Sequence, residues 1–250
     1  MSNTSKIIFI IFSSWVIFLF GCASRNIKPM PDANTQFEIA KRVYNRKHYY
    51  DSVIEFQKLI LNYPGYAFID SAQYLLAMSH FKDKDYASAA AEFRKLVSSF
   101  PTSSLADESF FMVALCDFQL SPKSELDQKY TFMAIEGLES FLDEYPESEL
   151  VSEAQRLLLE ARSKLAKKAY KNGELYVKMK EYDSALIYLD EVIDNYSDTP
   201  WAGWALFQKG EVYRLKKKNN EAKEYYQKVI SDFPQSPAAK KAQERLKKLR

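Results

Sequence analysis

The sequence predicts an all-α fold, a right-handed superhelix of about five helical hairpins with one extended helix and a C-terminal capping helix. Three observations carry that prediction. The chain has 250 residues but only 6 Gly and 9 Pro, about half of the ~12% that average usage supplies, so long uninterrupted helices are favoured over a many-turned sheet. Aromatic-Pro pairs recur at Tyr63-Pro64, Phe100-Pro101, Tyr145-Pro146 and Phe233-Pro234, with Tyr196-Ser197 as a degenerate copy. Ahead of each pair, apolar residues return at helical spacing.

The first 21 residues stand outside that fold. Lys6 precedes an apolar run from Ile7 to Phe20, broken only by Ser13 and Ser14. The run is too short for a bilayer-spanning helix of ~20 residues and suits the apolar stretch of an export signal. It ends in Leu19-Phe20-Gly21-Cys22, which resembles the lipobox of bacterial lipoproteins. That resemblance implies cleavage after residue 21 and acylation of Cys22; an ordinary export signal that ends beside a Cys is the alternative. Ala23 stands where an Asp would mark inner-membrane retention, so the resemblance implies the outer membrane, with the folded part in the periplasm. Residues 22–34 then comprise the lipidated Cys and a tether containing Pro29 and Pro31. At ~3.1 Å per residue, Ala23 to Asn34 spans at most ~37 Å.

From Thr35 the sequence repeats. The aromatic anchors are 37, 45, 51 and 37 residues apart, a unit of 37 with two additions. Eleven residues before each aromatic anchor sits a small side chain: Ser52, Ala89, Ala134, Ala185, Ala222. Four residues later comes a large apolar one (Phe56, Phe93, Leu138, Leu189, Tyr226), and three further on another (Leu59, Leu96, Phe141, Val192, Val229). Spacings of four and three share one helical face, so each unit ends in an amphipathic helix stopped by its aromatic-Pro pair. A second small position lies upstream, at Ala40, Ala77, Ala114, Gly173 and Gly210, leaving room for an antiparallel partner helix that approaches closely. Polar turns such as Lys82-Asp83-Lys84-Asp85 and Lys178-Met179-Lys180-Glu181 join the two. The pattern resembles the tetratricopeptide repeat, whose hairpins stack into a superhelix.

The expected caps follow that register. Thr35 and Glu38 have capping-box spacing at the first helix. Thr199-Pro200 and Ser236-Pro237 each offer an N-cap followed by Pro at the first helical position. Ala238 to Arg250, with its late cations, is expected to form a capping helix over the last repeat.

Two additions set the chain apart from a plain repeat scaffold. Eight residues fall around Leu120 to Gln128, as a loop inside the third hairpin. Fourteen fall within Glu149 to Met179, where no Gly occurs until Gly173 and no Pro at all, so one helix should lengthen by about four turns. The stretches Ser121-Pro122-Lys123-Ser124-Glu125-Leu126-Asp127-Gln128 and Leu165-Ala166-Lys167-Lys168-Ala169-Tyr170, together with the lipobox, make the chain similar to the outer-membrane protein assembly factor family BamD (ComL-type). The resemblance spans essentially the whole mature chain. It implies a subunit of the machine that inserts β-barrel proteins into the outer membrane. Its implied partners are the POTRA domains of BamA and other Bam subunits, through the C-terminal repeats (147–250), and unfolded barrel proteins, through the N-terminal repeats (35–146). It implies no cofactor and no catalytic residue.

The residues supply their own candidate for a groove. Aromatics stand seven apart on the first helix of three hairpins: Phe37 and Tyr44, Tyr74 and Phe81, Phe111 and Phe118. Each pair shares a face, and barrel strands are themselves aromatic-rich. Packing between helices is the competing reading of all six. If Tyr74, Phe81 and Phe118 capture peptide, their alanine variants should lose that binding while the helical melt stays intact. For the partner surface the candidates are Lys164 and Lys168 on the long helix, and Arg214 and Lys217 at the fifth turn, against the reading that such charges merely wet a helix.

Charge and chemistry exclude other classes. With 35 basic and 33 acidic residues, the chain lacks the basic excess of a nucleic-acid groove. His48 and His80 sit in different hairpins, away from metal-ligand spacing, and Cys116 on an apolar-rich helix reads as a buried thiol. No phosphate loop or nucleophile elbow occurs, so the sequence does not predict an enzyme. Two further classes fit an anchored helical scaffold: one serving pilus or secretin assembly, and a peptidoglycan-associated regulator.

Overall fold

A computed structural model describes residues 30–249; the signal segment, Cys22 and the tether as far as Pro29 lie outside the described residues. Among the described residues there are eleven helices and no strand. The first five pairs in chain order are α1 (Ala33–Asn45) with α2 (Tyr49–Asn62), α3 (Ile69–Lys82) with α4 (Tyr86–Ser99), α5 (Ala106–Leu120) with α6 (Lys129–Glu144), α7 (Val151–Lys178) with α8 (Tyr182–Asn195), and α9 (Pro200–Leu215) with α10 (Asn219–Asp232). Helix α11 (Pro237–Lys248) closes the stack. Each helix packs chiefly on its neighbours in the chain, and α9 also meets α7 and α11.

The repeat register places the core. All five small positions of the second helices, and both large apolar positions that follow each of them, are fully buried. So are Ala40, Ala77 and Ala114, with Gly173 and Gly210 buried in the same role. Burying one such Phe or Leu contributes about 1.5–3 kcal/mol, and the face recurs in every hairpin. The need for small residues is steric. A Cβ on Gly210 would lie 2.6 Å from Tyr226, and one on Gly173 would lie 3.0 Å from Leu189, so the backbones approach as closely as side chains permit.

The aromatic anchors stop their helices as the sequence suggests. Tyr63, Phe100, Tyr145, Tyr196 and Phe233 occupy the C-cap, off helical geometry, and each donates its backbone N–H to the carbonyl four residues back. In four of the five, Pro follows and removes the next donor. At the N-termini the outcome is mixed. The Ser236 hydroxyl accepts from the Ala239 N–H at 3.1 Å, and Pro237 follows. Thr199 occupies the N-cap before Pro200, but its hydroxyl donates to the Tyr196 carbonyl at 2.8 Å, tying the helix to the preceding turn. Helix α1 begins at Ala33, so Thr35 sits inside the first turn and does not form the expected capping box.

Both additions take their expected form. Ser121 to Gln128 connects α5 and α6 outside any helix, and α7 runs for 28 residues where α8 has 14.

The turns inside four hairpins carry a feature without a sequence signal. Lys47, Lys84, Lys180 and Lys217 all have φ between 63° and 65°, the left-handed region that a lysine enters at a cost of ~1–2 kcal/mol. Glycine meets no such cost but loses more chain entropy. Lys84→Gly is therefore expected to stabilise the fold by about 0.5–1 kcal/mol, read as a higher thermal midpoint; an unchanged or lower midpoint would show the backbone there to be relaxed.

Candidate protein-binding surfaces

The aromatic residues of α1, α3 and α5 all take part in packing between helices. The Phe37 ring lies 6.3 Å from Phe56 and 5.7 Å from Tyr66, with Lys41 above it at 5.6 Å. Tyr44 meets Tyr49 at 5.6 Å, Tyr74 meets Phe93 at 5.8 Å, and Phe81 meets Tyr86 at 5.3 Å. Phe111 sits edge-on to Phe141 at 5.5 Å and is only 5% exposed, so it acts as core. The other five are half-buried, each offering part of a ring to solvent.

Tyr74 is fixed further. Its hydroxyl donates to Glu108 on the next hairpin at 2.6 Å. Burial, followed by that carboxylate, raises the phenol pKa well above its ordinary value. Between α1 and α3, Phe37, Lys41, Phe68 and Leu75 line a groove of about 520 Å³. Aromatic edges, a Lys41–Glu38 pair of opposite charges and an open trough can take an extended polypeptide without reading one sequence.

The second surface forms where the two additions meet. Lys164, on the lengthened part of α7, donates to the Ser121 hydroxyl at 2.7 Å and lies 5.2 Å above the Phe118 ring. One turn on, Lys168 donates to the Leu126 carbonyl at 2.7 Å. The loop secures itself as well: buried Gln128 donates to the Lys123 and Leu126 carbonyls. Loop, α7 and the start of α9 enclose a cleft of about 760 Å³, bordered by Lys123, Leu159, Lys164, Lys167 and Trp201. Partial burial lowers the Lys164 pKa.

Lys164 and Lys168 thus clamp the loop as well as bordering the cleft. Replacing both with alanine should cost about 1 kcal/mol or less overall, as partly exposed contacts do, yet release the loop to faster tryptic cleavage after Lys123. Cleavage at the parent rate would show that the loop holds itself.

The cations near the fifth turn differ from one another. Arg214 donates through Nη2 to Glu211 at 3.0 Å within its own helix, whereas Lys217 is an exposed turn residue with φ 63°. Glu211, 8% exposed, also accepts from the Tyr226 hydroxyl and from Arg245 Nε on α11 at 2.8 Å.

Sequence spacing missed several contacts that recur within and between the repeats. Ser103 donates to Asp70 at 2.6 Å, and Ser148 repeats the contact to Asp107 at 3.0 Å. Gln36 reaches Glu55 and Gln73 reaches Glu92 in equivalent places. Tyr176 stacks on Tyr188 at 5.3 Å, and one 37-residue step later Tyr213 stacks on Tyr225 at 5.2 Å. Their recurrence at the repeat step was the available signal.

A family model described as "YfiO: Outer membrane lipoprotein" matches residues 30–228. None of the curated proteins matches. Similar solved structures include the TPR2AB-domain:pHSP90 complex of yeast Sti1, at 14% identity over 86% of this chain and 84% of that one, with a TM-score of 0.44. TTC0263, a thermophilic TPR protein in Thermus thermophilus, is 16% identical over 86% of this chain and 98% of its own, with a TM-score of 0.36. MamA from Desulfovibrio magneticus is 16% identical over 81% and 96% respectively, with a TM-score of 0.35.

Proposed function

This chain belongs to the YfiO family of outer membrane lipoproteins, and from that premise we propose that it is a non-enzymatic scaffold subunit of the β-barrel assembly machine. The family match over residues 30–228 carries the reading. Anchoring falls to Cys22, since the other cysteine, Cys116, is buried within the stack, and the folded part then faces the periplasm.

The division of labour follows the two surfaces. Residues 35–146 receive unfolded barrel proteins along the half-buried rings of Phe37, Tyr44, Tyr74, Phe81 and Phe118, with Phe111 supporting them from the core. Residues 147–250 hold the POTRA domains of BamA and other Bam subunits. There Lys164 and Lys168 act by shaping the cleft, Arg214 by fixing Glu211, and Lys217 as a free cation. Chemically this is capture and release: neither surface needs a nucleophile or a cofactor to hold a polypeptide.

Depletion of the protein in its own cells tests the reading. Outer-membrane barrel content should fall while other envelope lipoproteins hold their levels, and BamA should co-purify with the acylated chain. Unchanged barrel content on depletion would overturn it.

A further inference from the structure

We infer that the outer face of α2 rests on the lipid leaflet that holds the anchor. Tyr50, Ile54 and Leu61 are 70%, 38% and 80% exposed, and their spacing places all three in one narrow strip of the helix. The equivalent places one repeat later, also exposed, hold Ala87, Ala91 and Ser98, and in α10 they hold Asn220, Glu224 and Ser231. Helices α6 and α8 each keep one exposed apolar residue there, Phe132 and Ile187, with acidic residues at the other places, Glu136 and Asp143, Asp183 and Asp194, so only α2 aligns three. The repeat itself therefore does not require large apolar groups there. Three of them aligned on a solvent-facing helix mark a contact surface.

The chemistry beside the strip selects lipid. Lys41, Arg42, Arg46, Lys47 and His48 precede Tyr50, and no acidic residue occurs between Glu38 and Asp51. Arg42, Arg46 and Lys47 are exposed. Cations flanking an aromatic and aliphatic helix face are the composition of a helix lying in a membrane interface, where the rings sit at headgroup depth and the cations reach anionic phosphates.

Chain length supplies the second argument, which rests on anchoring at Cys22 as proposed above. Helix α1 begins at Ala33, so the ten residues from Ala23 to Asp32 reach at most about 36 Å at the fully extended limit of ~3.6 Å per residue. The hairpin carrying the strip is thus the one held nearest the leaflet along the chain. Contact there would orient the stack on the membrane and leave its other faces free for polypeptides.

The acylated full-length protein, reconstituted in phosphatidylethanolamine–phosphatidylglycerol vesicles, provides the test. A Leu61→Cys variant and a Ser98→Cys variant are each labelled with the environment-sensitive fluorophore NBD. Cys22 is blocked by its acyl chains, and Cys116 is fully buried with a thiol pKa pushed up to about 12, chiefly by burial and then by the charge of Asp117. Both substituted sites are exposed, and circular dichroism confirms their fold. Flotation with the vesicles reports anchoring, and quenching by headgroup-proximal doxyl lipid reports contact.

Both variants should float. The label at position 61 should lose about half its emission to the doxyl lipid, as a group seated in the interface does, while the label at 98 keeps its emission. Equal quenching at the two positions, or a blue shift at 61 that depends on protein concentration and not on lipid, would overturn the leaflet contact and leave the anchor standing; the second result would point to another copy of this chain. Failure to float would overturn anchoring and the contact with it.

Discussion

Replacing Glu211 with alanine is expected to destabilise the protein by about 2–4 kcal/mol and to loosen its C-terminal end first. The carboxylate collects the Tyr226 hydroxyl, Arg214 and Arg245, and so links α9, α10 and α11. Removing it strands a buried hydroxyl and two guanidinium groups. The Arg214 and Arg245 side chains are 34% and 38% exposed and can turn to water, which keeps the cost below that of a fully enclosed charge. Glu211→Gln keeps one acceptor and should lose roughly half as much. Hydrogen exchange across α9 to α11, measured beside a chemical denaturation curve, would check the effect; protection equal to the parent's there would remove Glu211 from its structural role.

The same group gives a pH dependence. Burial alone would raise the Glu211 pKa, but the hydrogen bonds from Arg214 and Tyr226, with the charges of Arg214 and Arg245, outweigh it and hold the value below the ordinary 4.5. A depressed folded pKa means that the stabilisation is complete above 4.5 and fades as pH falls through the folded value. Stability measured from about pH 7 downward should therefore drop less steeply in the acid range in Glu211→Gln than in the parent. Identical slopes would show that other carboxylates carry the acid sensitivity.

That node also marks where the sequence stops being readable. The positions of Ala222, Tyr226 and Val229 follow from spacing alone, because burial of an apolar face is a periodic demand that the chain answers in every repeat. Arg245 and Glu211 lie 34 residues apart on helices whose charges read as solvated faces. Nothing in their spacing pairs them, since an ion pair is decided by which two surfaces happen to meet. Lys164 and Lys168 are alike: the pattern marks them as wet charges, and only the path of the inserted loop brings Ser121 and Leu126 to them. The left-handed lysines escape for a different reason, as glycine is the residue that normally announces that geometry. For the aromatics, seven-residue spacing identifies a shared face but cannot say how much of each ring a neighbouring hairpin covers. Phe111 and Phe118, on one helix, end with different exposure because Phe141 closes over the first while Lys164 leaves part of the second open.

Phe141→Ala is expected to cost about 3–5 kcal/mol, the range for truncating a buried aromatic ring. Its ring is fully buried and meets Phe111 at 5.5 Å, Tyr145 at 5.7 Å and Phe110 at 6.4 Å, so a cavity opens where α5 and α6 join. The consequence depends on the architecture. A stack of hairpins that touch mainly their neighbours is stabilised by units and interfaces in series, and loosening the middle hairpin itself can divide it. Unfolding of the variant should therefore separate into two transitions, with α5 and α6 losing hydrogen-exchange protection together while α9 and α10 keep theirs. Glu211→Ala acts at an end of the series and should shift protection there without dividing the middle. Binding gives the functional reading: Phe111, which supports the proposed substrate surface, packs on Phe141, and the loop bordering the proposed partner cleft joins α5 to α6, so the Phe141 variant should weaken capture of barrel peptide and of the partner together. A single cooperative transition at the parent's slope, merely moved to lower denaturant, would show that coupling along the stack exceeds what one interface supplies.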